Sequence, residues 1–342
     1  MSETILEQLG VQERLRMITS LVDARVPLLL LGPAGSGKSY LGMMVMQGFS
    51  HKYLGGAPIR RLGELDDQAM QSGNIRVLYI AGSSNVTRLD VLGGRTLERG
   101  SYTRRPGVLQ QMMEQGGIVF LDEVSSLPPQ FNVLLNEIVD RIINRDCHAN
   151  FYMFFAANPG TYLGANELPD STAERLVTLW FDYYQFDDEV RIVKHMLQRS
   201  FPASSEIFNP PEGFDAFVRF TTGLVRRMRR SISGEQEIPL SVRSISMLAT
   251  TALRLASITP GTGTANPQGT VETLGVYQKL RGKLPNSMTE GLQSVEVDNL
   301  VKYMAARGID WSIFRKSIDA LGIIQRVRGS SFYEAFMSVV PT

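Results

Sequence analysis

The stretch Val26-Pro27-Leu28-Leu29-Leu30-Leu31-Gly32-Pro33-Ala34-Gly35-Ser36-Gly37-Lys38-Ser39-Tyr40 decides how this chain is read. It opens on an apolar run of the length of a buried strand, passes through a turn that fits G-x-x-x-x-G-K-[ST], and enters a segment, Ser39 to Phe49, whose apolar residues recur at three and four. Strand, glycine turn and helix in that order are the setting in which such a loop grips phosphate. The glycines let backbone N–H groups close around phosphate oxygens, and the start of the helix favours their negative charge. Lys38 is placed to reach the β and γ phosphates and Ser39 to ligate Mg²⁺. The expected nucleotide contacts are therefore Gly32, Pro33, Ala34, Gly35, Ser36, Gly37, Lys38, Ser39 and Tyr40, with ATP and Mg²⁺ as the ligands. A glycine turn that binds nothing would use the same residues, but it has no need of this context.

Working outward, four more short apolar runs read as strands: Arg76-Ala81, Ile118-Leu121, Phe151-Ala156 and Leu176-Asp182. Helical patterns lie among them at Ile5 to Leu21, Gly107 to Gln115 and Pro129 to Ile143. Such alternation predicts an α/β fold, a parallel five-stranded P-loop core with helices on both faces. From Asp187 onward no strand pattern recurs, and amphipathic helices are expected at Asp187-Gln198, Gly213-Met228, Leu240-Ile258, Val295-Arg307 and Trp311-Val327. The predicted domains are thus residues 1–184, the α/β core, and 185–342, an all-helical part with an irregular Gly-, Pro-, Thr- and Asn-rich insertion near 259–286.

Composition narrows the function classes. Hydrophobic residues make up 43% and charged residues 20%, an ordinary globular balance. Thirty-five Lys and Arg against 34 Asp and Glu leave +1, so any polyanion site has to be local. The single Cys147 cannot form an internal disulfide, and Met1 to Gly10 lacks a basic stretch followed by an apolar one, so a cytoplasmic protein is expected. No apolar run approaches the roughly 20 residues that span a bilayer. His51, His148 and His195 have no mutual metal-ligand spacing, and Cys147-His148 is too small a set for a metal cluster. Met43, Met44 and Met46 read as core filling behind the loop.

A phosphate loop needs an acidic partner for its metal. Ile118-Val119-Phe120-Leu121-Asp122-Glu123 supplies an apolar strand ending in two carboxylates. It resembles a Walker B segment, in which Asp122 holds Mg²⁺, directly or through water, while Glu123 polarises the attacking water. Two acids merely closing a strand is the plainer alternative.

The Asp-Glu pair, with Asn158 closing the Phe151-Ala157 strand, resembles the AAA+ family. That resemblance implies that Asn158 orients water near the γ phosphate, although Asn158-Pro159-Gly160 also reads as a turn. Leu168 to Arg175 resembles the short helix that offers an arginine finger to a neighbouring subunit's ATP, with Arg175 as the finger; a surface ion-pair arginine is the alternative. Pro239-Leu240-Ser241-Val242-Arg243 resembles the sensor 2 position of AAA+ lids, so Arg243 would report nucleotide state to the helical domain.

Within AAA+, Leu89-Asp90-Val91-Leu92-Gly93-Gly94, then Arg105-Pro106-Gly107-Val108-Leu109, then Gly116 to Glu123, resemble the MoxR group near CbbQ, NorQ and GvpN proteins. The resemblance covers about residues 5–255 and implies that Arg95 to Arg104 inserts into the second helix and projects toward a ring's pore. A small hairpin is expected there, Thr96, Leu97, Tyr102 and Thr103 alternating and Glu98 to Ser101 turning. It also implies an ATP-hydrolysing chaperone or activase, a homo-oligomer of hexameric form, a client protein, and a von Willebrand factor A domain adaptor. Two segments depart from the pattern, residues 56–73 and the tail after 258. Arg226-Arg227-Met228-Arg229-Arg230 offers a local site for nucleic acid, or else a solvated or inter-subunit face. A nucleic-acid motor and a nucleotide-gated scaffold with little turnover stay open as other functions.

Overall fold

A computed structural model describes residues 10–71, 73–83, 91–98, 101–128, 131–159, 170–231, 240–258 and 292–320. The start of the Ile5 helix, Leu89-Asp90, Gly160, Leu168-Pro169, Pro239, the 259–286 insertion and the chain beyond 320 lie outside those residues. In chain order the elements are α1 (Val11–Asp23), β1 (Leu28–Leu31), α2 (Lys38–Tyr53), β2 (Arg60–Arg61), α3 (Asp67–Gln71), β3 (Val77–Ala81), β4 (Gly93–Glu98), β5 (Ser101–Pro106), α4 (Val108–Gln115), β6 (Gly117–Asp122), α5 (Phe131–Ile143), β7 (Phe151–Ala157), α6 (Asp170–Ala173), β8 (Val177–Trp180), α7 (Phe186–Ser200), α8 (Pro211–Ser231), α9 (Val242–Ile258), α10 (Ser294–Ala306) and α11 (Trp311–Ala320). Two compact units result, Met1–Tyr184 and Gln185–Thr342.

In the first unit a parallel sheet runs β2-β3-β6-β7-β1-β8. Its middle strands β6 and β7 are buried at every position, which is why they read as unbroken apolar runs. Successive residues of β6 serve opposite faces. Ile118 and Phe120 pack with Ile18, Leu41 and Val45 of α1 and α2, whereas Val119 and Leu121 pack with Leu109, Leu135 and Ile138 of α4 and α5. Helices therefore cover both faces, as the alternation predicted. Gly42 of α2 makes that packing close, since a Cβ there would lie 2.3 Å from the Phe120 ring.

The strand count needs correcting from five to six. β2 is two exposed arginines at the sheet edge, paired through Arg60 with Leu78 and Arg61 with Tyr79. An edge strand bonded on one side does not require an apolar run, so β2 left no hydrophobic signal. It lies in the unplaced 56–73 stretch, followed by a 3₁₀ turn (Leu62–Glu64) and α3.

β4 and β5 form a separate antiparallel ribbon, with Thr96 opposite Thr103 and Leu97 opposite Tyr102. Glu98 and Ser101 also pair, so the strands reach further than expected and only residues 99–100, outside the described set, connect them. Val91 and Leu92 are helical before the ribbon and α4 follows it, so the ribbon interrupts helical chain. Gly107 closes its base: a Cβ there would lie 2.2 Å from the Gly93 nitrogen and 2.2 Å from the Leu92 carbonyl carbon.

Among its described residues the regular elements of the second unit are all helices. Val193, Leu197, Phe217, Phe220, Leu248 and Phe314 are part of its core, contributed by α7, α8, α9 and α11. Glu189 of α7 is fully buried and accepts from Arg226 Nη1 at 2.8 Å and Arg229 Nη2 at 3.0 Å, both on α8. No described helix is long and apolar enough to cross a membrane.

Candidate functional site

Because β1, β6 and β7 are parallel, the loop after β1, the acidic pair ending β6 and Asn158 after β7 all come to the same edge of the sheet. Ligands in open α/β sheets bind outside the carboxyl ends of strands, which is this edge.

The loop's backbone is dictated by close contacts from below. A Cβ on Gly32 would sit 2.0 Å from the Phe181 carbonyl oxygen, and one on Gly37 would sit 2.3 Å from the Tyr184 hydroxyl. Gly37 also has φ +94°, a left-handed conformation that costs other residues about 1–2 kcal/mol. It caps α2, whose first residue is Lys38. The Lys38 side chain is 6% exposed and folds back over the loop, donating to Gly32 O at 2.6 Å, Pro33 O at 2.8 Å and Asn158 Oδ1 at 3.0 Å. Ser36 is fully buried and its Oγ finds no hydrogen-bond partner among the described residues. A glycine cradle with a folded-back ammonium and an unsatisfied buried hydroxyl fits a phosphate group. Tyr40, at 63% exposure, stands out from the start of α2.

On β6, Asp122 is 3% exposed and both its oxygens are held: Oδ2 by the Tyr79 hydroxyl at 3.0 Å, Oδ1 by the Glu123 N–H at 3.0 Å. Burial first, then the Asp122 charge, pushes the Tyr79 hydroxyl well above its ordinary pKa, so it remains a protonated donor. Arg61 of β2 lies 5.2 Å from the centre of the Tyr79 ring, which ties the edge strand to the acidic pair. Glu123 is exposed, with φ +55° and ψ +41°, an uncommon conformation for a residue with a side chain. Its carbonyl region leaves no room beyond glycine at position 82, where a Cβ would be 2.2 Å from Glu123 O. Among the described residues no group of three or more His, Cys, Asp and Glu could hold a metal by itself, so a cation here would draw on phosphate and water besides Ser39 and Asp122.

Arg175 follows α6 and donates through Nε to Asp140 Oδ1 of α5 at 2.8 Å and through Nη1 to Ser171 O. Thr172 Oγ1 donates to Asn136 Oδ1 at 2.7 Å, fixing α6 on the same helix. Arg243, exposed, is the second residue of α9, and its N–H donates to Ser241 Oγ at 3.2 Å. Two arginines of the basic cluster turn inward: Arg226 and Arg229 are engaged by Glu189, and Arg229 Nε also donates to Leu240 O at 2.7 Å. Those two arginines are half-buried structural cations, not a polyanion surface.

One residue escaped the sequence reading. Arg14 of α1 is fully buried, donates through Nη1 to Asp182 O at 2.9 Å and Ser36 O at 3.4 Å, and lies 4.3 Å from the Tyr184 ring centre. Its signal was positional: Arg14, Ile18 and Val22 share the buried stripe of α1, where a charge needs a reason.

Residues 59–176 match the family model of an AAA domain of the dynein-related subfamily. Together with the parallel sheet and the glycine loop preceding that span, this makes the chain similar to AAA+ proteins, and the relatives it matches are of the MoxR type. It is 25% identical over 180 residues to Protein CbbQ of Hydrogenophilus thermoluteolus, covering 50% of this chain and 58% of that protein. Gas vesicle ATPase GvpN1 of Halobacterium salinarum is 23% identical over 196 residues, covering 52% and 53%. Protein NorQ of Paracoccus denitrificans is 27% identical over 179 residues, covering 49% and 57%. The chain therefore spans little more than half the length of these curated relatives.

Proposed function

We propose that the chain binds ATP with Mg²⁺ in the Gly32–Ser39 loop and hydrolyses it to remodel or activate a partner protein or complex. The observation that carries this reading is the meeting of Lys38 with Asn158 at the edge where Asp122 and Glu123 end β6. Backbone N–H groups and Lys38 hold the phosphates, and Ser39 and Asp122 would hold the cation, which would supply charge neutralisation. Glu123 takes a proton from water as its oxygen bonds to the γ phosphorus; the bond to the bridging oxygen breaks, leaving ADP and phosphate. Asn158 orients that water.

Assembly belongs to the same reading. Arg175 serves a neighbouring copy's nucleotide in a homo-oligomer of hexameric form, having exchanged Asp140 for phosphate, and Arg243 answers from the helical unit. A client protein and a von Willebrand factor A domain adaptor are the partners the MoxR resemblance suggests. A nucleic-acid motor is disfavoured because Glu189 engages Arg226 and Arg229.

Two variants test the reading. Glu123→Gln is expected to bind ATP with wild-type affinity and lose most turnover, and Lys38→Ala to lose binding. Normal turnover in Glu123→Gln would overturn the assignment. The same variant, held with ATP, is the bait for capturing the partner.

A further inference from the structure

Arg14 is a buried arginine on a helix that contributes nothing to the P-loop motif, yet its guanidinium reaches the underside of the loop. Burying a cation costs several kcal/mol unless it is paired or hydrogen-bonded, so its placement has to be offset by what it holds. Nη1 donates to Asp182 O at 2.9 Å, which anchors the chain just beyond β8. The same nitrogen reaches Ser36 O at 3.4 Å, a weak contact longer than the usual hydrogen-bond range. The guanidinium also lies over two aromatic rings, 4.3 Å from the Tyr184 ring centre and 5.3 Å from that of Phe181.

These partners are the residues that shape the loop from beneath. Phe181 O bears on Gly32, and the Tyr184 hydroxyl bears on Gly37, so the segment Phe181 to Tyr184 is the floor of the glycine turn. The Ser36 contact adds an orientation. In a trans peptide the carbonyl and the following N–H point in opposite directions. Drawing Ser36 O down toward the buried guanidinium therefore turns the Gly37 N–H up, toward the side where a phosphate oxygen would sit. We infer that Arg14 is a positioning residue for the phosphate loop: it fixes the floor segment and the Ser36–Gly37 peptide so that the N–H nest is formed before nucleotide arrives. This rests on the reading of the loop as the ATP site. It assigns helix α1 a part in nucleotide affinity and none in bond breaking.

The consequence is a split between binding and chemistry. In the full chain, Arg14→Met is expected to weaken ADP and pyrophosphate binding by about tenfold or more, the scale of one lost hydrogen bond to a charged group. Arg14→Lys keeps the charge and one donor and is expected to fall between Met and wild type. At saturating ATP both variants turn over at close to the wild-type rate, with KM raised. A residue that only stabilised the fold would lower the melting temperature and leave ADP and pyrophosphate affinity of the folded protein unchanged. Should Arg14→Met fail to fold, Arg14→Lys decides: a wild-type Kd, or a fallen kcat with unchanged KM, overturns the inference. A wild-type chain that binds neither ADP nor pyrophosphate overturns this inference and the ATP reading together. Lys38-dependent wild-type binding that is undiminished in the Arg14 variants overturns this inference alone.

Discussion

The Lys38 ammonium donates to Asn158 Oδ1 at 3.0 Å, across 120 residues of sequence, and so a hydrogen bond joins the phosphate loop to the end of β7. Phosphate entering the loop competes for that ammonium. Asn158→Ala removes one competing acceptor, and ADP affinity is expected to hold or tighten by up to about tenfold, the worth of one neutral acceptor. Turnover is expected to fall by roughly 10²-fold, as when a group that orients the reacting atoms is lost. Calorimetric binding beside steady-state turnover reads both, and a parallel loss of the two would contradict the assigned role.

Tyr79→Phe keeps the ring against Phe120 and Arg61 but deprives Asp122 Oδ2 of its donor. Supporting hydrogen bonds of this kind change metal affinity by about 10–100-fold, so the Mg²⁺ concentration for half-maximal turnover should rise within that range. There is also a pH signature. The folded Tyr79 pKa lies above the unfolded value, so its contribution is present below pH ~10 and is lost as pH climbs toward the folded value. Denaturant unfolding in alkaline buffers should show a shallower loss of stability in Tyr79→Phe than in wild type.

Glu123→Gly separates stability from activity. Glycine accepts φ +55° without the penalty that Glu123 incurs, so the variant should gain about 0.5–1 kcal/mol of unfolding free energy while losing turnover. A less stable Glu123→Gly protein would show that the left-handed residue is not strained.

Glu189→Ala leaves Arg226 and Arg229 facing each other at a site with no solvent access for the lost carboxylate. Removing one partner of a buried ion pair costs about 3–5 kcal/mol. Chemical denaturation should therefore show the helical unit unfolding earlier, and an effect below about 1 kcal/mol would mean that water reaches the cluster.

Much of the fold was legible because burial on both faces writes itself into consecutive residues, as in Phe151 to Ala157, and because the glycine turn announces the strand before it and the helix after it. What stayed hidden depends on pairings that sequence distance conceals. Glu189 meets arginines 37 and 40 positions away, and Arg14 meets Asp182 across 168. Seen from the sequence, Arg226 to Arg230 is a charge run; only packing α7 against α8 turns two of its members inward. β2 went unseen for the opposite reason, being too short and too wet to show a pattern.

The ribbon of β4 and β5 leaves and rejoins the domain at nearly one point, Gly93 against Gly107. A segment whose ends nearly touch can be lengthened, shortened or exchanged with little rearrangement of what lies below it. The chain thus carries a cassette that can be altered without redrawing the frame to which Gly93 and Gly107 fasten it.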